Sequence, residues 1–323
     1  MAKYKKLLVK NVLDTRLDKF LKRFSNSFSH GFIQKLLRQK DIILNGKRTF
    51  SNQTLNDGDI IEYKDFINLE INNPNQNYLD NSLIKKFTHK ELESRIIWDS
   101  EEFIAIDKSH YVAVQGGSNV KISLQNAISY WNQEKQGDLK IVHRLDKDTG
   151  GILIIAKGYV NAVKLTRAFK NRLIYKSYLA LVDHFPQNIE GKIQDIHYYK
   201  DSCNNVKQRI AISFYKLLKK YKNHSLLLFQ PITGIKHQIR KHALKIGCPI
   251  VGDRKYNSTQ EYSALKLYAT KVDIDYQIFK RKISIFSFPK EEFFQNFDID
   301  RSYLYQFVEK FDYKDNSFYM PLN

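Results

Sequence analysis

The chain lacks the residue sets that would give it a covalent or metal-held framework. It has two cysteines, Cys203 and Cys248, far apart and in no CxxC pair, which argues against a disulfide scaffold or a cysteine zinc site. No apolar run approaches the ~18 residues that a membrane helix requires. The first residues, MAKYKKLLVKNVLD, carry lysines but too short an apolar stretch for a signal peptide. We therefore expect a cytoplasmic protein without membrane attachment. Nucleotide-binding loops and metal-ligand clusters are missing too. His237 and His242 lie five residues apart with no glutamate between them, which is not the HExxH zinc pattern, so neither a metal nor a cofactor is expected. Acid is the last shortage. Asp and Glu number 34 against 53 Lys and Arg, a net charge of +19. That excess predicts a polyanionic partner, a nucleic acid or an anionic membrane surface.

What is present divides into two regions. At 323 residues the chain has room for two domains, and 42% hydrophobic content allows a sizeable core. Near the start, Thr15 and Asp18 have capping-box spacing. Leu17, Phe20, Leu21 and Phe24 then recur on one helical face. A second helix, capped by Ser27 or Ser29, would turn Phe32, Ile33, Leu36 and Leu37 inward and Lys35, Arg38 and Lys40 outward. Ile42, Ile43 and Leu44 lead into the hairpin signal Asn45-Gly46. Asp57-Gly58 marks another turn before a strand from Asp59 to Tyr63. The Asn-rich stretch Asn68 to Asn81 reads as a linker. A small domain over 14–75 and a larger one over 90–323 are thus expected.

The larger region centres on Val142 to Lys157, VHRLDKDTGGILIIAK. Arg144, Asp146, Lys147 and Asp148 form a charged turn. The apolar, β-branched run Ile152 to Ala156 reads as a buried strand. A carboxylate on such a turn has a rigid base and an open side, which suits a reactive group. The same residues also suit a surface turn that merely feeds a core strand, and composition does not separate Asp146 from Asp148. Further strands are expected at Ile96–Trp98, Phe103–Ile106, Tyr175–Val182, Ser225–Phe229, Leu265–Ala269 and Lys280–Phe288. After Gly158 a helix would turn Ala162, Leu165, Ala168 and Phe169 to one face and Lys164, Arg167 and Lys170 to the other.

HRLDKDTGGILIIAK resembles the signature of the RluA-type large-ribosomal-RNA pseudouridine synthases: HRLD, two residues, TSG, an apolar strand and AK. Gly150 stands where that family usually has Ser. Two later segments resemble the family in the same order. Lys176 to Val182 fits its K-x-Y-x-A-x-V strand. Pro231 to Tyr256 fits P-x-T-G-R-x-H-Q-I-R-x-H followed by G-x-P-I-x-G-D-x-x-Y, with Ile235 in place of the usual Arg. Asp107-Lys108-Ser109 departs from the usual N-K-P, Gln115 from the usual His, and Tyr268 from the closing L-H-A strand. The surviving V-x-G-G-S, Val114 to Ser118, is closer to the subfamily acting on several uridines of the large-subunit core than to its sister acting on a single hairpin. Arg16 to Leu21, Ile43 to Lys47 and Leu55 to Ile61 resemble the S4 RNA-binding domain over some fifty residues.

The resemblance implies an α+β protein. A small S4-like domain would precede a catalytic domain with a long, mostly antiparallel mixed sheet flanked by helices and loops. It implies an isomerase that converts uridine to pseudouridine in large-subunit ribosomal RNA, as a monomer, with pre-ribosomal particles as a further partner. Asp146 would be the catalytic carboxylate, as nucleophile or as base. Arg144 would fill the space left by an extruded base, Tyr178 would lie against that base, and Arg240 would pair with Asp146. A guanidinium fork satisfies a carboxylate's oxygens and favours its charged form. Lys22, Arg23, Lys35, Arg38, Lys47 and Arg48 would contact RNA phosphates. Two other classes fit part of the pattern. A non-catalytic RNA-binding assembly factor would share the charge and the S4 pattern. A hydrolase using Asp146 and Asp148 on sugars would leave both unexplained.

Overall fold

The computed structural model describes residues 4–10, 12, 15–22, 30–64, 67, 81–116, 120–200, 205–257, 264–294 and 299–311. The chain separates into two compact units, Met1–Asn81 and Ser82–Asn323.

The first unit contains β1 (Tyr4–Leu8), β2 (Thr15–Arg16), α1 (Leu17–Leu21), α2 (His30–Arg38), β3 (Ile42–Leu44), β4 (Thr54–Leu55) and β5 (Ile60–Lys64). Strands β1, β5 and β3 form an antiparallel sheet in that order, and β2 pairs with β4. Asn45 and Gly46 both have positive φ, +50° and +73°, as a two-residue hairpin turn demands. Leu44 and Lys47 exchange backbone hydrogen bonds across it. Ile33, Leu36 and Leu37 are buried with Leu17, Phe20, Leu21 and Ile61. Phe32, expected inside, is 41% exposed. It lies one position before Ile33, at the edge of a helical stripe that Ile33, Leu36 and Leu37 already fill. The expected Thr15 cap is also replaced. Arg16 takes the N-cap position without a side-chain cap bond, and Asp18 instead accepts from Arg16 Nη2 at 2.8 Å. Phe24, Ser27, Ser29 and Arg23 lie outside the described residues, as do positions 68–80 of the expected linker.

The second unit opens with α3 (Asn81–Glu91). There follow β6 (Ile96–Asp99), β7 (Phe103–Lys108), α4 (Leu124–Lys135), β8 (Leu139–Ile141), β9 (Gly150–Lys157), α5 (Gly158–Lys170), β10 (Ile174–Asp183), β11 (Glu190–Lys200), β12 (Val206–Tyr221) and β13 (His224–Pro231). The chain continues through α6 (Gln238–Lys245), β14 (Leu267–Ile274), α7 (Tyr276–Phe279), β15 (Ile283–Phe286) and α8 (Arg301–Lys310). One 10-stranded sheet runs β11-β12-β13-β10-β14-β9-β7-β6, with β15 beside β14 and β8 beside β9. Among the described residues only the β14–β9 pair is parallel, and it spans just Tyr268–Gly150 and Ala269–Gly151. Strand β9 is buried from Gly150 to Ala156, as its unbroken apolar run requires. The two backbones approach so closely that a Cβ on Gly151 would lie 2.2 Å from the Ala269 carbonyl oxygen, and Gly151 also has φ +102°. Only glycine fits there. One face of the sheet buries Tyr178, Phe229, Tyr215 and Ile193 against Ile239 and Ala243 of α6. The other packs Leu179, Leu181, Leu226 and Leu228 on Leu304 and Val308 of α8. Among the described residues, no helix is long and apolar enough to cross a membrane.

Candidate active site

The charged turn between β8 and β9 faces a cleft of about 290 Å³. Its lining includes Arg144, Asp146, Thr149, Lys176, Tyr178, His237 and Arg240. Three segments distant in sequence supply them: the 142–149 turn, strand β10, and the turn entering α6. Asp148 does not line this cleft. Its charge acts on Lys108, as that of Asp146 also does, and on His110 and Tyr111. Two carboxylates that sequence chemistry left equivalent are therefore set apart by the fold.

Each segment is fastened from behind. The Asp146 turn closes by the Thr149 amide donating to the Asp146 carbonyl at 3.1 Å. Beneath it lies Lys108, 1% exposed. Its ammonium donates to the carbonyls of Ser109, Val112 and Lys147 at 2.8, 2.9 and 3.2 Å. The last of these bonds ties β7 to the Asp146 turn. Burial lowers the Lys108 pKa to about 7. The turn before α6 is locked by Gln238. Its amide donates to the Ile212 carbonyl at 2.8 Å and to Ser213 Oγ at 2.9 Å. Its oxygen accepts from Thr233 Oγ1 at 2.7 Å and from the Ile235 amide at 3.1 Å.

Tyr178 sits on β10 where the register with β14 shifts between Ser177 and Tyr178. Its hydroxyl pKa is raised by burial and then by the charge of Asp146, so the phenol holds its proton. Lys176, two positions earlier on the same face, has its pKa lowered to about 8 by burial. Arg144 is exposed at the mouth.

Arg240 departs from expectation. Its guanidinium forks Asp253, with Nε to Oδ2 at 2.7 Å and Nη2 to Oδ1 at 2.6 Å. Asp146 is not its hydrogen-bond partner. The reason is solvation. Asp253 has a fully buried side chain, and its Oδ1 also accepts from the amides of Lys255 and Tyr256 at 3.0 and 3.1 Å. A carboxylate with no water must take its bonds from protein. Burial pulls the Arg240 pKa down, but Asp253 and then Asp146 outweigh it and the net shift is upward. Arg240 thus acts on Asp146 through its field.

Asp146 also faces a group that motif reading considers only as a metal ligand. His237 Nε2 lies 3.9 Å from Asp146 Oδ2, and its Nδ1 lies 3.1 Å from the Tyr256 hydroxyl. It occupies a left-handed backbone position, φ +57°, directly before α6. Burial lowers its pKa, opposed by Asp146. Lys108, Lys176 and His237 were each visible as motif letters, but only packing marks them as parts of the site. Among the described residues, no group of His, Cys, Asp and Glu could hold a metal ion.

The departures from the usual motif letters also fit together. A Cβ on Gly150 would lie 2.7 Å from His110 Nε2, so the histidine ring occupies the room that a serine would need. Tyr268 donates to Asp107 at 2.6 Å and shares a 2.8 Å bond with Ser287. Gly150, His110, Tyr268 and Asp107 form one packed cluster behind the Asp146 turn. Of the RNA-contact candidates, Lys22, Lys35, Arg38, Lys47 and Arg48 are all exposed on the first unit.

Residues 102–245 match the family described as RNA pseudouridylate synthase. A relative in Rickettsia bellii, named ribosomal large subunit pseudouridine synthase C, is 38% identical over 293 residues, covering 86% of this chain and 96% of its own. The chain belongs to the RNA pseudouridylate synthase family. A similarly named relative in Buchnera aphidicola is 31% identical over 257 residues, covering 76% of this chain and 78% of its own. The solved structure of human RNA pseudouridylate synthase domain containing 4 shares the fold, with TM-score 0.54 at 22% identity over 66% of this chain and 94% of that one. Membership makes the protein an isomerase, an RNA pseudouridine synthase.

Proposed function

We propose that this synthase acts on uridines of large-subunit ribosomal RNA, with Asp146 as the catalytic carboxylate. The observation that carries the reading is the cleft itself: Asp146, and not Asp148, shares its lining with Tyr178, His237 and Arg240. The target uridine leaves its stack and enters the cleft. The bond from C1′ to N1 breaks, the uracil turns, and a bond from C1′ to C5 replaces it. C5 loses a proton and N1 gains one, so nothing is added overall. Asp146 begins the sequence by attacking C1′ or by taking a proton from C2′. Tyr178 offers an apolar ring against the base, and its protonated hydroxyl makes it a donor, not a base. Arg144, exposed at the mouth, fills the vacated stack. Arg240 and Lys176 hold positive potential around the cleft. The substrate follows from the names of the relatives and the net charge of +19.

The first unit, with its hairpin at Asn45-Gly46 and its exposed Lys22, Lys35, Arg38, Lys47 and Arg48, serves as an S4-like module that grips RNA phosphates. The active species is a cytoplasmic monomer that meets its RNA free or in pre-ribosomal particles. The test is incubation of the purified chain with large-subunit RNA transcript free of modifications, followed by chemical mapping of pseudouridine. Discrete modified sites are expected. No product on that RNA, on transfer RNA or on partly assembled subunits would overturn the reading and leave an RNA-binding factor.

A further inference from the structure

Strands β11 and β12 run well past the sheet that holds them. Strand β12 pairs with β13 only from Ser213 onward. Between Val206 and Ala211 its sole partner is β11, over Asp195 to Lys200. Six rungs therefore stand free as a two-stranded ribbon, roughly 20 Å long at the usual rise per residue. Such a ribbon gains little by burial and invites a function. Its two faces differ. Cross-strand partners share a face, so Ile196, Tyr198, Val206, Gln208 and Ile210 lie on one side. His197, Tyr199, Lys207 and Arg209 lie on the other.

The second face is the one that turns toward the cleft. It continues the row of Gly191 and Ile193, and Ile193 is buried in the same cluster as Tyr178 and Ile239. It is also fastened to α6. Lys245 donates to the Gln194 carbonyl at 2.9 Å and to Asp195 at 3.0 Å, and Lys241 Nζ lies 3.5 Å from His197 Nδ1. The same helix carries Arg240 and follows His237, so the ribbon is indexed to the catalytic residues. Arg209 lies over the Tyr199 ring, its Cζ 4.4 Å from the ring centre, a cation–π pair already assembled. Asp195 is the one carboxylate among the ribbon's described residues, and Lys245 engages it.

We propose that this face of the ribbon binds the single-stranded RNA flanking the target uridine. Tyr199 and Arg209 supply a stacking platform for a neighbouring base, and Lys207, Arg209 and Lys241 meet its phosphates. The inference rests on the RNA-synthase reading above and adds a contact that the cleft does not contain. Charge complementarity selects RNA for this face, since its cations and aromatic ring match phosphate and base.

The experiment measures the affinity of the full chain for unmodified large-subunit RNA across salt, alongside product formation. Lys207→Glu with Arg209→Glu should weaken binding at least about tenfold and flatten the dependence of log affinity on log salt by about 1.5. Tyr199→Ala should weaken it about fivefold with the slope unchanged. Tyr198→Ala, on the opposite face, should stay within about twofold of wild type. If the charge reversal lowers the melting temperature, Arg209→Gln replaces it. Unchanged affinity and slope in the ribbon variants, with wild type making product, would overturn the ribbon alone, as would a loss confined to Tyr198→Ala. Ribbon-dependent binding by a wild type that makes no product would support the ribbon and sink the catalytic reading.

Discussion

Asp146 and Asp253 lie near the same arginine and are treated in opposite ways. Asp253 is fully buried and takes both arms of Arg240 together with two backbone amides. Asp146 stands in the open cleft, its side chain 24% exposed, with His237 at 3.9 Å. The difference follows from solvation. A buried carboxylate needs every bond the protein can provide, whereas one that water reaches does not. It also fits the role proposed for Asp146: a carboxylate already engaged by four donors is poorly placed to meet a substrate. Arg240 is thus anchored by the buried carboxylate and held near the one proposed to react.

The largest expected effect tests the member proposed to react. Asp146→Asn should cut single-turnover pseudouridine formation by about 10³-fold or more while RNA affinity stays within about threefold. Asp148→Asn should keep the rate within about fivefold, because its carboxylate acts on the Lys108 side and not in the cleft. Equal losses in both variants would erase the distinction that the cleft draws.

The structural member should show itself in stability. Asp253→Asn leaves the guanidinium of Arg240, 6% exposed, without its counter-charge. The expected loss is about 3–5 kcal/mol in urea unfolding. Adding Arg240→Met should recover part of it, since the orphaned charge is then gone. A loss below about 1 kcal/mol would mean that the fork is dispensable and that Arg240 serves Asp146 first.

This pairing marks the limit of what the sequence reveals. Seven strands of the large sheet are legible because buried runs such as Ile152 to Ala156 and Leu226 to Phe229 have few other places to go, whereas β8, β11 and β12, polar or charged along much of their length, are not. The hairpin at Asn45-Gly46 is legible because few residue pairs accept two positive φ angles. Motif resemblance picks out Arg144, Asp146, Tyr178 and Arg240, and the fold brings all four to one cleft. The partner of Arg240 is not legible. Asp253 is a motif letter like the others, and only depth of burial says which carboxylate must be saturated. Lys108 is similar. Its role depends on three carbonyls converging from Ser109, Val112 and Lys147, which no spacing rule encodes. Helix α3 went unread because its few apolar positions, Leu83, Ile84 and Phe87, follow directly on an Asn-rich stretch.

The cluster behind the Asp146 turn sharpens the comparison from the other side. Gly150→Ser would drive a side chain into the His110 ring and should cost about 1–3 kcal/mol by overpacking. His110→Ala in the same chain should restore at least half of that. Both are read by thermal or urea unfolding. If Gly150→Ser is neutral, the ring moves freely aside and the cluster is not a packed support for the turn.

The smallest effect concerns the lysine under that turn. Its folded pKa, about 7, lies below the ordinary 10.5. Between these values the unfolded chain binds more protons than the folded one, so stability must rise with pH through that window. Below about pH 7 the full cost of burying the charge is present; above about pH 10 it is gone. Lys176, lowered to about 8, adds a slope of the same sign that begins one unit higher. Lys108→Met should therefore remove up to about 1 kcal/mol of the gain between pH 7 and 8 in urea unfolding, and leave the gain above pH 8 that belongs to Lys176. Parallel slopes for the two proteins across pH 7 to 8 would show that the three carbonyls hold Lys108 charged after all, and that Lys108 clasps the turn of Asp146 as an ammonium throughout the working range.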